Sequence, residues 1–135
     1  MADKKTVLAI DDLPMILAVY KNILDSQYDV KIAVSAMEAL TLLKTITVDI
    51  FLVDIEMPDM SGFEFIHEIR KMPKFMSTPV IVISGHSSED FAAHALSKGA
   101  NMFIAKPVKP ANLLAQVSNL LEHTPQNKLF ALLSR

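Results

Sequence analysis

The sequence predicts an α/β fold: a parallel sheet with helices on both faces. Short apolar runs rich in β-branched residues alternate five times with longer stretches at helical spacing, the pattern of repeated β–α units. Most of those runs are apolar throughout, whereas strands exposed on one face would alternate with polar residues. The chain has 135 residues, 51% of them apolar and 21% charged, which is room for one domain with a real core and too little for two.

Val7-Leu8-Ala9-Ile10 is too short for a helix and β-branched at both ends, so it reads as a strand buried on both faces. Pro14 suits the first turn of a helix, where a missing N–H is harmless, and Ile16, Val19, Tyr20, Ile23 and Leu24 follow at helical spacing. Tyr28 to Ala33 forms the second strand. Ser35 then caps a helix with Glu38 at the capping-box position and Ala36, Ala39, Leu40 and Leu43 on its apolar face. Val48 to Val53 is the third strand, ending at Asp54. Pro58 and Gly62 bracket a turn before a helix carrying Phe65, Ile66 and Ile69. Pro79 to Ile83 is the fourth strand. Ser87 or Ser88 caps the next helix, Glu89 and Asp90 suit its positive end, and Gly99 stops it. Met102 to Ile104 is a short fifth strand, and Pro110 to Glu122 the last helix, with Leu113, Leu114, Val117, Leu120 and Leu121 on one face.

The charge balance narrows the function. Thirteen Lys and Arg against 15 Asp and Glu give −2, with no basic excess, helix-turn-helix or basic region to suggest direct nucleic-acid binding. The absence of cysteine removes a disulfide scaffold, a thiol nucleophile and the usual structural zinc sites. The apolar stretch near the start is only Val7 to Ile10, too short for a secretory signal or a membrane span, so a cytoplasmic protein without membrane contact is expected.

In open parallel sheets, chemistry collects outside the carboxyl ends of the strands. Asp11 and Asp12 follow the first strand, Asp54 and Glu56 the third, Ser84 and Gly85 the fourth, and Lys106 and Pro107 the fifth. Singly, each has an ordinary reading as a turn, cap or loop residue. Together they bring four carboxylates, a hydroxyl and an ammonium to one edge. Clustered carboxylates repel unless a cation intervenes, and hard oxygen ligands suit Mg²⁺ or Mn²⁺ rather than zinc. An aspartate beside a metal and a lysine can attack phosphorus and form an aspartyl phosphate.

The constellation resembles the receiver domain of bacterial two-component response regulators, the CheY-like superfamily. The segments that carry the resemblance are Val7 to Asp12, Phe51 to Gly62, Pro79 to Gly85 and Gly99 to Pro107, with Asp54 and Ser84 separated by 30 positions. It covers residues 5–122 as the receiver, leaving 1–4 as an N-terminal extension and 123–135 as a tail, read as a linker and the start of a further helix. The resemblance implies a flavodoxin-like three-layer sandwich of five strands in the order 2-1-3-4-5. It implies Asp54 as phosphoacceptor, Asp11, Asp12 and Asp54 with the backbone carbonyl of Glu56 as the Mg²⁺ site, and Ser84 and Lys106 as contacts to the phosphoryl group. Ser84 and Phe103 would be the switch pair, and the side chain of Glu56 at the mouth a tuning position. The implied partners are a histidine kinase or histidine phosphotransfer protein as donor, and a downstream protein or output domain at the surface of the fourth helix, fifth strand and fifth helix. A second copy of the chain is a further candidate.

Three positions depart from the family pattern. Gly85 stands where alanine is common, Phe103 lacks the hydroxyl of a frequent tyrosine, and Ser61 brings no evident chemical consequence. Among the four histidines, His67, His94 and His123 lack metal-like spacing, while His86, two residues after Ser84, reads first as a loop residue and second as a tuning residue at the site mouth. Arg70, Lys71 and Lys74 read as a basic spot serving a helix dipole. Two other functions compete. A haloacid-dehalogenase-type phosphatase would need a second acid, usually aspartate, two residues after the nucleophile, where this chain has Glu56, and a cap domain to bind substrate, of which the sequence gives no sign. An interaction module independent of phosphorylation would leave the complete set of site residues as coincidence.

Overall fold

Five parallel strands in the order β2-β1-β3-β4-β5 form the sheet seen in a computed structural model that describes residues 4–86 and 88–122. The elements are β1 Thr6–Ile10, α1 Pro14–Leu24, β2 Asp29–Ala33, α2 Ala36–Leu42, β3 Ile50–Asp54, α3 Gly62–Arg70, β4 Val80–Ser84, α4 Glu89–Ser97, β5 Met102–Ala105 and α5 Pro110–Glu122. The strand order and the five helices are those expected. A short 3₁₀ turn at Pro73–Phe75, between α3 and β4, is an addition to the expected set. The tail at 123–135 and its expected helix lie outside the described residues, as does Ser87.

Two apolar layers flank the sheet. On one face Val7, Ala9, Ile50, Leu52, Ile81, Ile83 and Ile104 meet Leu17, Tyr20 and Leu24 of α1 and Leu113, Val117 and Leu121 of α5. On the other, Leu8, Ile10, Phe51, Val53, Val80 and Val82 meet α2, α3 and α4, with Phe51 edge-on to both Phe65 and Phe75 at 5.7 and 5.5 Å. The three central strands are buried on both faces, as their unbroken apolar runs require. The edge strands are not: β2 exposes Asp29, Lys31 and Ile32, and β5 is mostly half-buried.

Strand boundaries shift for local reasons. β3 begins at Ile50, because the Asp49 carboxylate, rather than a backbone carbonyl, accepts the Thr6 N–H at 2.7 Å. β4 begins at Val80 since Pro79 has no N–H to donate, although its carbonyl still accepts from Phe51 N at 3.0 Å. Helix ends follow the capping logic: Ser35 Oγ accepts from Glu38 N and Ser88 Oγ from Phe91 N. Gly99, at φ +110°, ends α4 in a conformation natural to glycine. Among the described residues, no helix is long and apolar enough to cross a membrane.

Candidate functional site

The parallel arrangement delivers the carboxyl ends of β1, β3, β4 and β5 to one edge of the sheet. Asp11 follows β1 directly, Asp54 ends β3, Ser84 ends β4, and Lys106 follows β5. Oxygens of Asp11, Asp12 and Asp54 all lie within 4.8 Å of one another. Asp11 and Asp54 are buried, while Asp12 is the most accessible of the three. Lys106 Nζ bridges the buried pair, 3.1 Å from Asp11 Oδ2 and 3.3 Å from Asp54 Oδ1. The other oxygen of Asp11 accepts the Leu13 N–H at 3.0 Å, which fixes the carboxylate and serves the start of α1. An open cleft of about 330 Å³ sits over the cluster, lined by Asp12, Leu13, Asp54, Glu56, Gly85 and Lys106.

The electrostatics show a site short of positive charge. Burial first, and then the neighbouring Asp11, push the Asp54 carboxyl up from its ordinary value to about 6; Lys106 only partly offsets them. Burial acts against the Lys106 ammonium, but its hydrogen bond to Asp11 and the charges of Asp54 and Asp11 outweigh burial and raise its pKa. Three convergent carboxylates with a single lysine, open to water on one side, match the donor set and hydration that a small hard divalent cation requires. A tetrahedral zinc site would want nitrogen or sulfur ligands, and none is in the cluster.

The β3–α3 loop is held tightly. Gly62 N donates to Ile55 O at 3.0 Å, and a Cβ on Gly62 would fall 2.5 Å from the carbonyl oxygen of Asp54. Glycine is therefore required by contact rather than by dihedral angle. Gly62→Ala should destabilise the protein by about 1–3 kcal/mol, since the obstacle is backbone that cannot yield, and a urea unfolding midpoint would measure it. Gly85 is the opposite case, as a Cβ there would meet nothing within 4 Å. Asp59 in the same loop accepts the Met37 N–H at 3.0 Å, tying the loop to the start of α2; this bond is the main cause that lowers its carboxyl pKa.

Several side chains do more than their sequence positions suggested. His86 is not simply a loop residue: its Nε2 lies 2.7 Å from Oε1 of Glu56, which lines the cleft. Glu56 is largely exposed, as expected, yet it is engaged rather than free. The ring of His86 stacks on Phe91 at 5.0 Å. Phe103 is half-buried and edge-on to Phe91 at 5.8 Å. Ser61 is the N-cap of α3, its Oγ accepting from Glu64 N at 3.2 Å; the Ser-x-x-Glu spacing carried that signal. Arg70 stands in the last turn of α3, as a dipole partner would, and does more than that. Its half-buried guanidinium donates to the carbonyls of Phe75, Thr78 and Gly99 and to Asn101 Oδ1, joining the end of α3 to the turns flanking β4 and β5. No local pattern announces that role. His67 and His94 take no part in the acidic cluster, and His123 is outside the described residues.

Comparison with known proteins agrees with this geometry. A family model described as the response regulator receiver domain matches residues 7–118. Over 118 residues the chain is 34% identical to a probable cyclic di-GMP phosphodiesterase of Vibrio cholerae serotype O1, covering 87% of this chain and 27% of that protein. It is 30% identical over 120 residues to the sensor histidine kinase TmoS of Ectopseudomonas mendocina, covering 89% of this chain and 12% of that one. The chain thus spans roughly a quarter or less of these two relatives. Among solved structures, a response regulator receiver domain protein (CheY-like) from Methanospirillum hungatei JF-1 superposes with a TM-score of 0.81 at 32% identity, covering 89% of this chain and 95% of that one. Fold, acidic cluster and family match converge, and the chain belongs to the response regulator receiver domain family of two-component signalling.

Proposed function

We propose that Asp54 is the phosphoacceptor of this receiver and that its phosphorylation switches partner binding. The observation that carries the reading is the buried Asp11–Lys106–Asp54 bridge beside Asp12, facing an open cleft. Asp11, Asp12, Asp54 and the backbone carbonyl of Glu56 would hold Mg²⁺, or Mn²⁺ in its place. When bound, the cation supplies positive charge that keeps Asp54 ionised and neutralises phosphoryl oxygens.

The chain's own residues supply the rest. An ionised Asp54 oxygen attacks phosphorus; the Asp54 O–P bond forms as the bond from phosphorus to the donor breaks. With a phosphohistidine donor, the departing imidazole nitrogen keeps the electron pair and takes up a proton. Lys106 and the Ser84 hydroxyl stabilise the oxygens of the transferred group. The donor would be a histidine kinase or histidine phosphotransfer protein, and the responding surface α4, β5 and α5. A second copy of the chain could occupy that surface. The chain acts on no separate substrate in this reading and assists only its own phosphorylation and dephosphorylation. Glu56 lines the cleft and pairs with the exposed His86, which suits a role in setting the lifetime of the phosphoryl group.

Incubation with acetyl phosphate and Mg²⁺ should add the mass of one phosphoryl group. EDTA or Asp54→Ala should abolish the gain. No gain at saturating donor, or a gain that survives Asp54→Ala, would contradict the assignment. Steady release of phosphate from a small monoester would favour a phosphatase instead.

A further inference from the structure

The Ser84 hydroxyl and the Phe103 ring, the two groups expected to switch together, are connected here through other residues. Ser84 Oγ accepts the His86 N–H at 3.2 Å. The His86 side chain is held at two places: by Glu56 at 2.7 Å and by the face of Phe91, with the rings 5.0 Å apart and 30° from parallel. Phe91 then meets Phe103 edge-on at 5.8 Å and leans on Phe63 of α3 at 5.8 Å. A continuous line of contact therefore runs from the hydroxyl at the phosphorylation site to the aromatic ring on β5, and it passes through Phe91 on α4.

Helix α4 is placed to respond. Ala95 is its one fully buried residue, and Phe91 and Ala92 are half-buried; Leu96 is exposed. A helix anchored by so little apolar surface depends on each contact that remains. Phe91 is the largest of those anchors, and the ring it stacks on belongs to the loop that directly follows Ser84. Phe103 is packed against Phe91, so it cannot turn inward without Phe91 changing its own contacts.

We propose that His86 and Phe91 form a relay, and that Phe91 is the positioning residue through which the phosphorylation site sets the seating of α4. The relay rests on the phosphoacceptor reading above and adds the route by which that site reaches the output surface. When the Ser84 hydroxyl moves to donate to the phosphoryl group, His86 N–H loses its acceptor and the loop backbone shifts. The imidazole leaves Glu56 and slides from Phe91. Phe91 tilts, α4 loosens, and the space it vacates admits Phe103. Since Phe103 has no hydroxyl to bond to the β4–α4 loop, ring contact is the available coupling.

The test is hydrogen exchange of the full chain with and without Mg²⁺ and beryllofluoride, a phosphoryl mimic, read by mass spectrometry on peptides covering α4 and the β3–α3 loop. In the wild type, beryllofluoride should slow exchange in the β3–α3 loop and speed it in α4 by about threefold or more. Phe91→Leu keeps an apolar anchor but removes the stacked ring. It should show fast α4 exchange before beryllofluoride and little further change after it, while the loop still responds and acetyl phosphate still adds its mass. His86→Ala should release α4 in the same way and provides an independent variant. A wild-type-sized α4 response in both variants would overturn the relay and leave the phosphoacceptor reading standing. No response of the β3–α3 loop and no mass gain in the wild type would overturn both.

Discussion

Replacing Asp54 with asparagine should make the metal-free protein more stable at neutral pH. The folded protein raises the Asp54 carboxyl from 3.8 to about 6, chiefly through burial and then through Asp11. The folded state therefore holds this proton more tightly than the unfolded chain does. Its contribution to stability is fully present below about pH 4 and is lost as pH rises through about 6. Above that range ionised Asp54 is a standing cost of about 3 kcal/mol at most, and an asparagine of the same shape does not carry it. Unfolding in urea with EDTA should show Asp54→Asn ahead of the wild type at pH 7.5, with the gap closing between pH 6 and 4. Added Mg²⁺ should narrow the gap from the other direction, by stabilising the wild type through binding. An equal or lower stability of Asp54→Asn at pH 7.5 would show that the cluster is not under electrostatic strain.

The second large effect is expected at Lys106. Its ammonium touches both buried carboxylates, and its side chain is 26% exposed. Lys106→Met keeps the apolar stem and removes the charge, leaving Asp11 and Asp54 facing each other. Removing one partner from a buried ionic cluster destabilises by about 3–5 kcal/mol; protonation of Asp54 gives this cluster an escape, so about 2–3 kcal/mol is expected at pH 7.5 in EDTA. Losing the lysine pushes Asp54 higher still, so the same sign applies: the defect shrinks on acidification. Mg²⁺ should also reduce it. Denaturation midpoints at pH 7.5 and 5.5, with EDTA or Mg²⁺, distinguish this from a packing defect, which neither treatment would relieve.

These two effects come from residues whose positions the sequence made legible, because a parallel sheet converts order along the chain into place at one edge. Asp11, Asp54, Ser84 and Lys106 each stand at or just past the end of an apolar run, and knowing where the runs end was enough to group them. The central strands were clear for the same reason: burial on both faces leaves few polar interruptions. Boundaries were harder. Asp49 looks like part of a strand until its carboxylate is seen capturing the Thr6 N–H, and nothing within a short window marks that choice. The contacts that tune the site were hidden more deeply. His86 meets Glu56 from a different loop, Phe91 meets Phe103 from a different element, and Arg70 gathers acceptors up to 31 positions away. Such pairings depend on how neighbouring β–α units pack, which residue spacing along one segment does not encode. Ser61 differs from these, since its Ser-x-x-Glu spacing is local and marks the cap of α3 within four residues.

The most direct test of the central claim is to locate the phosphoryl group. The full chain would be treated with acetyl phosphate and Mg²⁺, the acyl phosphate reduced with borohydride, and the peptides sequenced by mass spectrometry. Conversion of residue 54 to homoserine, dependent on Mg²⁺, is the predicted result. Phosphate stably retained on Ser84 or a histidine, or reduction at a carboxylate other than Asp54, would contradict it.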